Sequence, residues 1–207
     1  MDRPQAIEAA RWIKRTGDVI GSAFLLLLIA PVMGLVALAI KLEDGGPVMF
    51  RQTRVGLKGQ TFECLKFRSM CIDAEARLAA LMAKNEGAGP LFKMTHDPRI
   101  TRVGRFIRRF SLDELPQLWN ALRGDMSLVG PRPALPTEVA QYDSDARRRL
   151  DVRPGLTGLW QVSGRSNLSW DDTVRLDLYY VDNWSMVQDL MILAKTARAV
   201  VGSSGAY

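Results

Sequence analysis

The sequence predicts an α/β chain, mostly helical with a small β-hairpin, held to a membrane as a monotopic protein by one apolar N-terminal segment. Three observations predict it: an uncharged run from Val19 to Ile40, two short strand patterns around a Gly-containing turn, and several helical periodicities beyond them. With 207 residues the chain is long enough for one compact domain beside an anchor. The expected division is an anchor, 1–44, and a cytoplasmic domain, 45–207.

The uncharged run covers 22 residues, and a helix of that length extends ~33 Å, enough for a bilayer core of ~30 Å. Pro31 stands near its centre, where it removes a backbone donor and clashes with the carbonyl of Leu27, so a kink or turn is expected. Two halves of about eleven residues reach only ~16 Å each, which suits a re-entrant helical hairpin that enters and leaves by one face. Basic residues flank both ends: Arg11, Lys14 and Arg15 before it, and Lys41, Arg51, Arg54 and Lys58 after it. The positive-inside bias therefore points both ends to the cytoplasm. A kinked straight span and a cleaved signal peptide, with Ala37-Leu38-Ala39 as the cleavage pattern, are the competing readings. The apolar stretch is longer than a usual signal core, and Lys41 closes it as an anchor closes.

After the Gly45-Gly46-Pro47 turn, Val48–Phe50 and Thr61–Leu65 read as strands flanking Gly56–Gly59, a hairpin. Asp73–Asn85 reads as a helix stopped by Gly87-Ala88-Gly89-Pro90, a candidate mobile loop. Between Arg99 and Phe110, Ile100, Val103, Ile107 and Phe110 recur at helical spacing opposite Arg102, Arg105 and Arg109. This basic amphipathic helix suits either a core face with a solvated Arg side or an anionic lipid surface. A Gly/Pro-rich stretch, Arg153–Gly158, is followed by helical patterns over Trp170–Val181 and Asp189–Val201.

Charge and composition narrow the chemistry. The 28 Lys and Arg against 22 Asp and Glu give +6, which suits an anionic partner: nucleic acid, an acidic membrane or a phosphorylated small molecule. Cys64 and Cys71 have neither disulfide-framework nor zinc-site spacing. His96 is the single histidine, so no two-histidine metal site forms within one chain. Catalysis must rest on carboxylates, basic residues or hydroxyls.

The adjacent carboxylates Asp113 and Glu114 are the leading candidates. Ser111-Leu112-Asp113-Glu114 has the pattern of a capping box, but Pro116 is comfortable only if the helix starts nearer Asp113. The acids then stand at a helix entrance, where partial positive charge favours their ionised form. Arg105, Arg108 and Arg109 precede them, and the Gly124–Pro133 loop follows, able to aim Arg132 at a phosphate. Carboxylates for a divalent cation beside arginines for phosphate oxygens suit phosphoryl chemistry.

Four ordered motifs carry a resemblance: Lys66-Phe67-Arg68-Ser69-Met70, Ser111–Leu118, Gly124–Pro133, and Pro154–Arg165, which includes Gly158-Leu159-Trp160-Gln161. Together they resemble the small monotopic phosphoglycosyl transferases of bacterial glycoconjugate assembly, from the anchor to near the C-terminus. The resemblance implies transfer of a hexose-1-phosphate from a UDP-sugar to polyprenyl (undecaprenyl) phosphate, with release of UMP. It implies Asp113 as nucleophile through a phosphosugar-aspartyl intermediate, Glu114 as the second acid, and Mg2+ at Asp113. Lys66, Arg108 and Arg132 match positions used around phosphate or substrate. The family's re-entrant helix breaks at a Ser-Pro pair; here Ala30-Pro31 stands there, without the hydroxyl. Glucose or galactose is favoured over acetamido sugars by the wording Gly158–Arg165, and Trp160 is a candidate for stacking on a base or sugar.

The implied setting is the cytoplasmic face of a bacterial inner membrane, with membrane lipids as partners, a homodimer left open, and polysaccharide synthesis as the pathway class. A non-catalytic membrane adaptor of a polysaccharide assembly complex is the alternative. A nucleic-acid binder is disfavoured, because no helix-turn-helix, zinc or aromatic RNA-binding motif is present.

Overall fold

The computed structural model describes residues 3–82, 94, 96–164 and 169–201. The end of the expected Asp73–Asn85 helix, the Gly87–Pro90 loop and Arg165 lie outside the described residues. A long helix, α1 (Arg3–Asp44), leads into a hairpin, β1 (Met49–Val55) and β2 (Thr61–Phe67). Helices α2 (Ala74–Leu81), α3 (Arg102–Arg109) and α4 (Gln117–Arg123) follow, then β3 (Ser127–Val129), α5 (Pro136–Val139) and α6 (Ser144–Arg147). The chain continues through β4 (Gly155–Thr157), α7 (Leu159–Ser163), α8 (Trp170–Asp182) and α9 (Met186–Val201). This is the expected mostly helical chain with a small hairpin.

Helix α1 is long and apolar enough to cross a membrane, and its helical backbone continues unbroken through Pro31, which is exposed. No loop separates its two arms. One stripe of it faces the rest of the protein at helical spacing: Arg15, Asp18, Ser22, Leu25, Leu26, Ile29, Met33, Val36 and Ile40. The other faces, with Ile20, Phe24, Leu27, Leu28, Leu35 and Leu38, are exposed. Polar bonds fasten α1 near both ends. Arg15 donates to the last carbonyls of α4, Ala121 O at 2.6 Å and Leu122 O at 2.7 Å. Asp18 Oδ1 accepts from Ser127 Oγ at 2.9 Å and Leu128 N at 3.0 Å, Lys14 pairs with Asp189 at 2.6 Å, and Asp44 pairs with Arg68.

The hairpin is antiparallel, with Phe50 opposite Lys66, Gln52 opposite Cys64 and Arg54 opposite Phe62. Because side chains alternate, these six share one face. A second pairing joins β3 and β4 in parallel, within stretches that read from sequence only as Gly/Pro-rich loops. Their strands touch so closely that a Cβ on Gly155 would stand 2.1 Å from Gly130 N. The core around them combines Cys64, Leu118, Ala121, Met126, Val129, Tyr180 and Ile192, with α1 leucines against it.

Helix α3 is shorter than the expected Arg99–Phe110 pattern. Thr101 Oγ1 caps it by accepting from Gly104 N at 2.9 Å. Val103 and Ile107 face a second core of Val36, Ile40 and Phe67, while Ile100 instead pairs with Met70 in an isolated bridge. Arg102, Arg105 and Arg109 are exposed as expected, but Phe106 is exposed with them.

Candidate active site

The two acids are set by the way α3 ends. Ser111 takes the left-handed conformation, φ 55° and ψ 22°, which a non-Gly residue seldom adopts. The chain reverses there into a single 3₁₀ turn, Leu112–Glu114, and then enters α4 with Pro116 just ahead of it. The capping-box pattern is not realised, because Ser111 makes no side-chain cap. Glu114 instead reaches across to the hairpin, where Lys66 Nζ donates to its Oε1 at 2.7 Å.

Asn120, fully buried on α4, clamps that arrangement. Its Oδ1 accepts from Leu65 N at 3.0 Å, and its Nδ2 donates to Glu63 O at 2.7 Å, binding α4 to the backbone of β2 on both sides of Cys64. Lys66 and Glu114 thereby face one another. Nothing in a lone Asn marks this role in the sequence.

A cleft of about 140 Å³, open to solvent, has Glu114 in its wall. Its walls include Arg54, Lys66, Glu114, Arg132, Trp160 and Gln161, with Cys64 and Gln117 also lining it. Of the sequence candidates, Lys66, Glu114 and Arg132 therefore share one cavity. Asp113 and Arg108 are not among the lining residues, although the charge of Arg108 acts on Asp113. Arg132 is oriented by Glu138, a buried carboxylate 3.1 Å from its Nη1. Glu138 and Arg54 were not singled out from sequence as site residues. The strand alternation Phe50-Gln52-Arg54 is the signal that could have found Arg54.

The two acids differ in proton affinity. Burial, then the charge of Glu114, pushes the Asp113 carboxyl up to about 6, against partial relief from Lys66 and Arg108. Burial also acts on Glu114, but the charges of Lys66, Arg132 and Arg54, with the Lys66 hydrogen bond, outweigh it and hold its carboxyl below the usual range. Burial raises the Cys64 thiol, which keeps it protonated and a poor nucleophile.

Among the described residues no three His, Cys, Asp or Glu side chains gather as a metal cage. Two adjacent carboxylates beside a cationic cleft do fit magnesium, which is commonly held by one or two carboxylates and completed by substrate phosphates and water. A site of that kind would be complete only with substrate present.

Residues 9–203 match the family described as "Bacterial sugar transferase". The chain is 46% identical over 207 residues to the undecaprenyl-phosphate galactose phosphotransferase of Salmonella typhimurium, covering 98% of this chain and 43% of that protein. It is 46% identical over 198 residues to the exopolysaccharide production protein ExoY of Rhizobium meliloti, covering 94% and 88%. It is 42% identical over 204 residues to the UDP-glucose:undecaprenyl-phosphate glucose-1-phosphate transferase of Caulobacter vibrioides, covering 94% and 72%. The chain thus spans less than half of some relatives and nearly the whole of others. The resemblance carried by the four motifs is borne out, and the chain belongs to the bacterial sugar transferase family.

Proposed function

We propose that this chain is a phosphoglycosyl transferase that moves a hexose-1-phosphate from a UDP-sugar to undecaprenyl phosphate, releasing UMP, as a membrane step of polysaccharide synthesis. The observation that carries the reading is the cationic cleft of Lys66, Arg132 and Arg54 opening beside the split carboxyl pair. Anionic diphosphate suits those cations. The names of the Salmonella and Caulobacter relatives, a galactose phosphotransferase and a glucose-1-phosphate transferase, supply the substrate class and favour a hexose.

In this reading Asp113 Oδ attacks the phosphorus that carries the sugar, and the bond from that phosphorus to the bridging oxygen breaks. The electron pair leaves with UMP, and the phosphosugar remains on Asp113 as an acyl phosphate. An oxygen of the lipid phosphate then attacks the same phosphorus and frees the aspartate. Ionisation near pH 6 leaves Asp113 deprotonated and nucleophilic at neutral pH. Lys66 holds Glu114 ionised beside it. Asp113 would hold the magnesium, whose charge would screen the repulsion between carboxylate and diphosphate.

The chain is read as residues 1–44 anchoring 45–207 at the cytoplasmic face of the bacterial inner membrane. Two features support a helix that enters and leaves by one face. Polar bonds near both ends of α1 reach the same body, through Arg15 and Asp18 at one end and Asp44 at the other. The exposed apolar residues between them are those a lipid core would cover. The helix runs unbroken through Pro31 in this structure, and a bend on entering a lipid core would form there, at the centre of the exposed stretch.

Two experiments test this. Incubation with a sugar nucleotide radiolabelled in the sugar and magnesium, without lipid acceptor, should leave label on the wild-type protein and none on Asp113→Asn. Equal label on both would overturn the aspartyl intermediate. Single cysteines at positions 11 and 45, in a Cys64→Ser/Cys71→Ser background, should react alike with an impermeant thiol reagent in sealed vesicles; opposite accessibility would overturn the re-entrant arrangement.

A further inference from the structure

Arg54 is a buried cation that no carboxylate pairs among the described residues. Only 8% exposed, it sits on the cleft face of β1. Its Nε and Nη2 donate to Gln52 Oε1 at 3.1 and 2.5 Å, and Nη1 donates to Pro133 O at 2.9 Å. A guanidinium carries five N–H groups, so these three bonds leave two unused. The neighbouring cations are differently placed: Lys66 is paired with Glu114, and Arg132 with Glu138. Among the described residues Arg54 has no such partner.

Burying a charge without a counter-ion is unfavourable, and a second guanidinium nearby makes it more so. Burial and then the charge of Arg132 both act against the Arg54 proton. An anion taken into the cleft relieves both effects, and the rigid fork of a guanidinium matches two oxygens of a phosphate.

We propose that Arg54, with Arg132, seats the phosphate that departs with the nucleoside. This rests on the sugar-phosphate transfer reading above. Asp113 stands outside the cleft lining, while Glu114 and Lys66 are part of it together with Arg54 and Arg132. The attacked phosphorus must meet Asp113 at the cleft's edge, which leaves the second phosphate for the guanidinium pair inside. As the P–O bond breaks, its electron pair stays on the bridging oxygen, which becomes the third terminal oxygen of the leaving phosphate. The two unused N–H groups of Arg54 meet that growing charge without rearrangement. Arg54 is therefore a leaving-group residue, distinct in role from Lys66, and it acts in the first half-reaction alone.

The test compares binding of UMP and uridine to the full chain in nanodiscs, for wild type, Arg54→Gln and Arg54→Lys. Wild type should prefer UMP. Arg54→Gln should reduce that preference about tenfold or more while uridine affinity stays within about twofold, and Arg54→Lys should fall between. Protein labelling should slow in Arg54→Gln, whereas passage of label from already labelled protein to polyprenyl phosphate should keep its rate. An unchanged UMP-to-uridine preference, or equal loss of both ligands, would make Arg54 a structural brace of Gln52 and Pro133 and overturn the proposal. Wild-type protein that binds neither ligand would overturn the sugar-nucleotide reading itself.

Discussion

Lys66 Nζ donates to Glu114 Oε1 at 2.7 Å, a bond between residues 48 positions apart that joins the hairpin to the turn ahead of α4. It sorts two adjacent carboxyls into unlike states. Glu114 is kept ionised at low pH, and its charge adds to burial in raising Asp113 to about 6.

Replacing Lys66 with Gln removes a charge that lowers the proton affinity of both acids. Each should then take up a proton at higher pH, so the acid limb of kcat/KM moves upward from about 6, with activity at pH 7 down roughly 100-fold. A pH–rate profile decides it. A limb that stays in place while the rate falls would mean that Lys66 acts on substrate alone.

Asp113 also links stability to pH. Its folded-state proton affinity is raised above the ordinary carboxyl value of 3.8, to about 6. The folded state therefore holds that proton more tightly than the unfolded chain, and stability is lost as pH rises from about 4 through 6. Asp113→Asn should accordingly melt higher than wild type at pH 7.5, by an amount on the order of 1–3 kcal/mol after solvent screening. The gap should close by pH 4 in thermal scans, and a gap independent of pH would contradict the burial of this carboxyl.

Asn120→Ala deprives Leu65 N–H and Glu63 C=O of their partner in a fully buried position. Two orphaned backbone groups at about 1–3 kcal/mol each predict a loss of about 2–4 kcal/mol after relaxation. Chemical denaturation measures the loss, and protein labelling should weaken beyond what instability explains, because Glu114 no longer faces Lys66 squarely.

The hairpin, α3 and the last two helices are legible because each carries a local signal. The Gly56–Gly59 turn marks the hairpin, and Val103 and Ile107 mark the buried face of α3. The parallel pairing of β3 with β4 is not legible: three-residue strands are too short for a period, and partners 28 residues apart give no local signal. Asp113, Glu114, Lys66 and Arg132 could be chosen from sequence because they stand in ordered motifs. Asn120 and Glu138 could not, since their roles depend on what is buried next to them, and Arg54 shows only as a same-face position two and four residues on from Gln52 and Phe50 along the strand. The inner stripe of α1 is hidden for a similar reason: Ser22 and Leu25 belong to the same apolar run as Phe24 and Leu28, and only the fold separates their faces.

Gly155→Ala should be among the most damaging single changes outside the acids. The added Cβ would meet Gly130 N at 2.1 Å and Thr157 O at 2.4 Å, both backbone atoms with no flexible side chain to yield. Loss of the β3–β4 contact at a cost above about 4 kcal/mol is expected, seen as absence of a cooperative melt. Gly34→Ala, where an added Cβ has nothing within 4 Å, is the control and should be neutral or slightly stabilising, by about 1 kcal/mol at most.

The bonds along α1 make it a keel cast with the hull rather than a mooring line. Cutting the chain after Asp44 would strip the caps from Ala121 and Leu122, the acceptor from Leu128 N, and the apolar cover from Phe67 and Ile107. Residues 45–207 without α1 should therefore lose stability as well as membrane contact. For the same reason the cleft has a fixed draught: a helix bonded through Arg15 and Asp18 at one end of its apolar run and through Asp44 at the other has little slack, so the distance from that run to the cleft is set by the fold itself.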